Sequence, residues 1–266
     1  MKHKFRAIFH DTLLEIKSGK IFYVYILVTV VVLLIVSLIS RFDVSRQDIT
    51  SYGIIKSEFI VRMMVGFYDG FWGFAFLLML FGVAWHMPSY MSKGRVELVL
   101  SKPISRSSLL LLKFLSLYLI KMAIFVTMSV LIWIVVSLKA GVFWTGAGWG
   151  LLFAFLHFLV IFVIVFAISV VSRSGALAIM GYFAIRAGSD FLAKREALYD
   201  FLNDKTAESI LDAVYYVSPK IGEMAANFDS LMIGQGFVNS FAIFSNIVLA
   251  VVFFALTALY FARKDF

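Results

Sequence analysis

The sequence predicts an all-α integral membrane protein with six transmembrane helices and both termini on the cytoplasmic side. Three observations carry this. Of the 266 residues, 62% are hydrophobic and only 15% charged, more apolar matter than a water-soluble fold can bury. The apolar residues come as long unbroken runs with only 3 prolines in the chain, which favours helices over the alternating pattern of a barrel. Finally, lysine and arginine crowd into alternate connections, which orients the runs.

A bilayer core needs about 20 apolar residues per helix, and six stretches qualify: about 21–40, 70–88, 109–138, 149–171, 174–192 and 240–262. The first is preceded by an amphipathic charged stretch and followed by no small-residue cleavage pattern, so it reads as a permanent span rather than a signal peptide. The segments assigned to the cytoplasm hold 13 basic residues against four acidic ones, whereas the opposite face holds ten basic against twelve acidic. That asymmetry gives the N-in, C-in orientation. It also accounts for the net charge of +8 without nucleic acid, since no soluble domain is left to carry a basic binding surface.

Residues 1–20 place Phe5, Ile8, Phe9, Leu13 and Ile16 at helical spacing, with Lys4, Arg6, Asp11 and Lys17 elsewhere on the wheel. This is the pattern of an interfacial helix. Residues 54–68 and 194–217 are also amphipathic and fall on the outer face. The larger outer segment, 190–239, is therefore partly helical. It runs through Pro219 and Gly222 into Phe228, Leu231, Met232 and Ile233, which are apolar but too short to cross, so part of it is expected to dip into the outer leaflet.

Catalytic signatures are missing. The sequence has no H-E-x-x-H, no G-x-S-x-G and no His/Cys ligand cluster, and with no cysteine it has neither a disulfide framework nor a thiolate metal site. It also lacks G-x-x-x-x-G-K-[ST], so it is expected to bind no cofactor itself and to draw any ATP energy from another subunit. Met79, His86, Met87 and Met91 form the one grouping of interest to a soft metal, but methionine is an ordinary filler of apolar helices and no metal site is assigned.

Charges inside the spans form a second group of candidates. Lys121 lies eight residues beyond Lys113, roughly 12 Å deeper along the helix. A central lysine costs about 2.5–3.5 kcal/mol on insertion scales, so it calls for a partner, a wet cavity or a function. Arg186 and Asp190 are one turn apart near the end of the fifth span and are placed to pair. His157, in the fourth span, is either a helix contact or part of a passage.

The loop between the second and third spans is more than a basic linker. It runs from His86 through Lys93, Gly94, Arg95, Glu97, Leu98, Leu100, Pro103, Ser105 and Arg106. Gly94 permits a break, Glu97, Leu98 and Leu100 make a short half-apolar helix, Pro103 ends it, and Ser105 or Ser107 can cap the next helix. Such a rod can plug into a groove of a cytoplasmic partner while its ends pull on two spans.

On these residues the chain resembles the permease subunits of ABC transporters of the type-2 exporter class. Their loop typically reads as an acidic residue, a Lys/Arg, Gly-Thr-Leu-Glu, Leu-Leu-Ser and Pro-Ile-Ser-Arg. The stretch Glu97 to Arg106 fits closely, whereas Met91 and Ser92 replace the acidic approach and Arg95-Val96 stand in place of Gly-Thr. Within the class, the likeness is to the subgroup for multicopper-enzyme maturation and nitrous oxide reductase assembly. The resemblance implies a single permease domain over 1–266 in a prokaryotic inner membrane, with no enzyme activity of its own. It further implies a cytoplasmic ABC ATPase dimer that handles ATP and Mg, a second permease copy, and a role for a periplasmic accessory protein. The ATPase-coupling residues would be Lys93, Gly94, Arg95, Glu97, Leu98, Leu100, Pro103, Ser105 and Arg106. The other classes compatible with the membrane core are an ATPase-independent channel or carrier and a membrane anchor for periplasmic partners. The substrate is left open by an aromatic interior with few charges.

Overall fold

The computed structural model describes residues 2–38, 56–92, 104–140, 143, 145–197, 199 and 204–264. In chain order the helices are α1 (Lys2–Ser18), α2 (Lys20–Leu38), α3 (Lys56–Tyr90), α4 (Arg106–Ala140), α5 (Gly146–Ser172), α6 (Gly175–Ala193), α7 (Lys205–Val217), α8 (Ile221–Met232) and α9 (Ser240–Arg263). Among the described residues there is no strand.

Among the described residues five helices are long and apolar enough to cross a membrane, within α3, α4, α5, α6 and α9. A sixth span follows only if α1 and α2 are counted together, and these two meet at an angle of 62°. The bend falls at Gly19, where the Gly19 N–H donates to the Ile16 carbonyl (3.1 Å) and the Phe22 N–H to the Gly19 carbonyl (3.0 Å). From Lys56 the amphipathic stretch runs into the second span as one helix of 35 residues. Without proline or a turn cluster between the two stretches nothing stops the backbone ladder, and the helix passes Pro88 to end at Tyr90.

The core is built around α5, which packs against α3, α4, α6, α8 and α9. Within a bilayer, apolar burial gives helices little reason to associate, so packing and interhelical hydrogen bonds must do so. The phenylalanines supply the packing. Phe114 of α4 meets Phe162 and Phe166 of α5 edge-on, both with centroids at 5.1 Å, and Phe254 of α9 at 4.8 Å. One hydrogen bond fixes the register, from the Tyr118 hydroxyl to the Phe155 carbonyl at 2.6 Å. At the far end of α5 a small residue is required: a Cβ on Gly150 would lie 2.3 Å from the Met232 sulfur and 3.2 Å from the Phe228 ring, so α8 can close onto α5 only over glycine.

The end of the bundle away from the loop is covered by α7, α8 and the segment leading into α9, held by polar groups that the sequence presents as ordinary loop charges. Lys220 is buried. Its ammonium donates to the carbonyls of Tyr215 (2.9 Å) and Ser218 (3.2 Å), which terminate α7, and to the Ser245 hydroxyl of α9 (3.0 Å). Asn246 grips the same residue's backbone, accepting from the Lys220 N–H (2.8 Å) and donating to its carbonyl (3.1 Å). Arg195 pairs with Asp212 at 2.6 Å and lies 3.7 Å from the centre of the Tyr215 ring. The Tyr215 hydroxyl donates to Glu223 at 2.7 Å.

Burial, reinforced by the hydrogen bond to Glu223, pushes the Tyr215 phenol from 10.0 up to about 12. The folded chain therefore holds a proton that the unfolded chain releases, and the resulting stabilisation is complete below pH 10 and lost as the pH rises towards 12. Lys220 acts in the opposite sense, because burial lowers its pKa and its charged form becomes less costly to avoid as the pH rises. The Tyr215→Phe variant should consequently show a shallower alkaline fall in melting temperature than the parent protein. Thermal unfolding in detergent across this pH window measures it, and identical slopes would show that the phenol contributes nothing.

Candidate functional site

The predicted coupling residues Lys93, Gly94, Arg95, Glu97, Leu98, Leu100 and Pro103 lie outside the described residues. The structure does describe both ends of their loop. On one side α3 closes with the Met91 N–H donating to the Met87 carbonyl at 2.9 Å. On the other, Ser105 starts α4: its carbonyl accepts from the Leu109 N–H (2.9 Å) and its hydroxyl oxygen from the Ser108 N–H (3.3 Å), the arrangement of an N-cap serine.

Each end is tied to another part of the bundle. Arg106 reaches across to the end of α9, donating to the carbonyls of Ala262 (3.4 Å) and Lys264. These are the acceptors that a helix C-terminus leaves over, and a cation also complements the helix dipole there. Tyr90, the last residue of α3, is buried with its ring centre 4.3 Å from the Lys113 ammonium of α4. Lys113 is fully buried and pairs with Glu15 of α1 at 2.9 Å. It also donates to the Thr12 hydroxyl at 3.1 Å, with Asp11 at 3.9 Å. The N-terminal helix is thereby docked on α4 rather than resting on a lipid surface alone. Its packed face is correspondingly rotated from the expected apolar stripe: Thr12 and Ile16 are buried, whereas Leu13 is exposed.

Deeper in the same end, Lys121 is buried with no ion pair among the described residues. It finds the face of Tyr25 on α2, 5.3 Å from the ring centre, a contact that offsets part of the cost of burying the ammonium. His86 belongs to this neighbourhood, with its Nδ1 2.7 Å from the Gly82 carbonyl. Its Nε2 and the Tyr25 hydroxyl are buried without a hydrogen-bond partner.

At the opposite end, Arg186 and Asp190 form their one-turn ion pair, Nε to Oδ2 at 2.9 Å. Asp190 and its neighbour also hold the start of α8. The Ser189 hydroxyl accepts from the Ile221 N–H (2.9 Å), and the other Asp190 oxygen sits 2.0 Å from where a Cβ on Gly222 would be. Only glycine lets a carboxylate approach that helix N-terminus so closely. His157 does not bridge two helices by a hydrogen bond. It makes a ring contact with Phe76 at 6.0 Å and lines, with Arg186, a cavity between α3, α4, α5, α6 and α8. Among the described residues no cluster of metal-binding side chains occurs.

Residues 91–266 match the model of the ABC-2 family transporter protein domain. The chain belongs to the ABC-2 transporter family. No curated protein matches the sequence. As an ABC-2 permease it is a multi-pass transmembrane subunit of an ABC transporter, of a kind that is generally non-catalytic, and its family implies an ATPase partner and a bilayer. The matched stretch begins just after Tyr90, takes in everything from Met91 onward, and leaves α1, α2 and α3 outside.

Reading the permease's sequence alone passes over Glu15, Tyr90 and Lys113. Lys113 counts there as one more cytoplasmic charge, and a signal for its burial does exist. It sits inside the Leu109–Tyr118 apolar run, with eight of those ten residues buried, at a depth where a lysine needs a carboxylate. Nothing in the sequence says that the carboxylate comes from residue 15.

Proposed function

We propose that this permease transmits ATP-driven motion from a cytoplasmic ABC ATPase dimer, with residues 93–106 as the docking rod. In this reading the termini are cytoplasmic, two permease copies form the pathway in a prokaryotic inner membrane, and the cargo is exported. ATP and Mg are held by the partner, and the present chain does no bond chemistry. The observation that carries the proposal is the anchoring of both loop ends, Tyr90 through Lys113 to Glu15 of α1, and Arg106 to the last carbonyls of α9. A rod whose ends are fixed to four helices delivers a push to the bundle, whereas a free loop would absorb it. The family match supports the same reading. The likeness of Glu97–Arg106 to maturation permeases extends it to a transporter serving metalloenzyme assembly, with a periplasmic accessory protein collecting the cargo.

Arg106 also holds α9, so reversing its charge would disturb the fold together with any docking. The test therefore spares it. Glu97→Lys combined with Leu100→Glu should abolish co-purification of the ATPase in mild detergent and reduce transporter-stimulated ATP turnover by about tenfold or more. Unchanged co-purification and turnover would refute the docking assignment. Isolation of the parent protein from native membranes without a P-loop ATPase would refute the partner.

A further inference from the structure

The half of the bundle away from the loop contains a cavity of about 330 Å³. That is the lower end of the range for small-molecule sites. Its apolar wall is aromatic and comes from five helices, with Trp72 and Phe76 of α3, Phe125 of α4, Phe158 of α5, Tyr182 of α6 and Phe228 of α8 all lining it. The rings brace one another: Trp72 stacks on Phe228 at 4.6 Å, and Phe76 meets Phe158 edge-on at 5.7 Å. Such a wall is preformed and offers flat apolar faces rather than a deformable aliphatic surface.

The polar groups facing this space are few. Arg186 lines the cavity, and Asp190, which takes its Nε at 2.9 Å, does not. Tyr182 lines the same wall next to Arg186. His157 is half-buried, and among the described residues no protein group hydrogen-bonds its ring. Asp229 stands exposed at the rim. The site therefore supplies chiefly donors in a planar fork, set against aromatic faces. One arginine, already shared with Asp190 in a cavity that Asp229 also lines, can support a single negative charge but not a dianion such as a phosphate monoester. A guanidinium fork matches a carboxylate with two parallel hydrogen bonds.

From this geometry we infer that the cavity binds an amphipathic monocarboxylate with an aromatic body, its carboxylate on Arg186 and its rings among Phe76, Phe158 and Trp72. The inference concerns the chain by itself and stands or falls independently of the ATPase partner.

Naphthalene-2-carboxylate, its carboxamide and 2-naphthylmethylammonium are the probes, titrated against the purified full-length protein in detergent and read by calorimetry. The carboxylate should bind about tenfold or more tightly than the amide, because a charge-assisted fork replaces a neutral contact, and the ammonium should bind least. Gly73→Leu provides a variant that fills the site without touching the arginine: a Cβ at Gly73 meets nothing within 4 Å and lies on the cavity wall. It should abolish binding of the carboxylate, while Arg186→Gln should bring the carboxylate down to the affinity of the amide. Equal affinity for the three probes, preference for the ammonium, binding that survives Gly73→Leu, or no binding of the carboxylate to the parent protein would each overturn the assignment.

Discussion

Replacing Glu15 by Gln is expected to destabilise the permease by about 3 kcal/mol, the low end of what breaking one side of a buried ion pair costs. The side chain of Lys113 is 0% exposed. With Glu15 present the ammonium has a carboxylate at 2.9 Å, a hydroxyl at 3.1 Å and an aromatic face at 4.3 Å. Without it, the charge keeps only Thr12, Tyr90 and the distant Asp11, which is 68% exposed and spends its own charge on water. The residual attraction of Asp11 and the partial exposure of Glu15, 15%, are what hold the figure to the low end. The double variant Glu15→Leu, Lys113→Met removes both charges and should recover most of the loss, since a buried pair is about as stable as an apolar replacement of similar volume. Unfolding by denaturing detergent, run as a double-mutant cycle, gives the coupling directly. If Glu15→Gln and the double variant are equally unstable, the pair is not the source of the effect. The same cycle bears on function. The double variant loses the link between Tyr90 and α1, so on the docking proposal it should fold yet couple ATP turnover to transport poorly.

The second large effect lies at the opposite end. Lys220→Met should destabilise the covering of α7 and α8 by about 2–3 kcal/mol, within the range for leaving buried acceptors of a charged donor unsatisfied. The Ser218 carbonyl loses its donor, the Tyr215 carbonyl keeps only the N–H and hydroxyl of Ser218, and Ser245 loses its tie to α7. Limited proteolysis would report the change locally, as earlier cleavage between α6 and α9, while the aromatic core around Phe114 and Phe162 retains its protection. Uniform protease resistance in the Lys220→Met protein would mean that the carbonyls are satisfied by other donors.

How far the sequence carried the reading can be judged residue by residue. The apolar runs at 109–138, 149–171, 174–192 and 240–262 each coincide with a helix, because hydrophobic length is a local property and the bilayer imposes the same minimum on every span. The first span is less simple. A helix of 17 residues with charges on one side, followed by an apolar one, does not announce that the two will meet at 62°. The pairing of Arg186 with Asp190 was legible because the partners share one helix and a spacing of four. The pairing of Lys113 with Glu15 was not, since 98 residues separate them.

Within the candidate sites the same division holds. A serine cap at 105 or 107 was legible because that role depends on the next few residues alone, and the structure places it at Ser105. Lys121 was recognisable as an expensive group, but the face of Tyr25 that it adopts depends on how α2 is set against α4. His157 read equally as a helix contact or as part of a passage. Its place on a cavity wall with Arg186, from a different helix, was decided only when α5 and α6 packed around α3.

The sequence by itself determined that this chain lives in a membrane as a set of helices, that it carries no nucleotide loop, and that one basic connection resembles the loop of an ABC permease. Those properties reside in composition, in periodicity or in a contiguous motif. Only the tertiary structure decided which charges are buried, what they pair with, and that rings from five helices enclose a space beside a single arginine. Interactions of that kind form between residues brought together by helix packing, and packing depends on side-chain shape across all the helices at once rather than on any one stretch of chain.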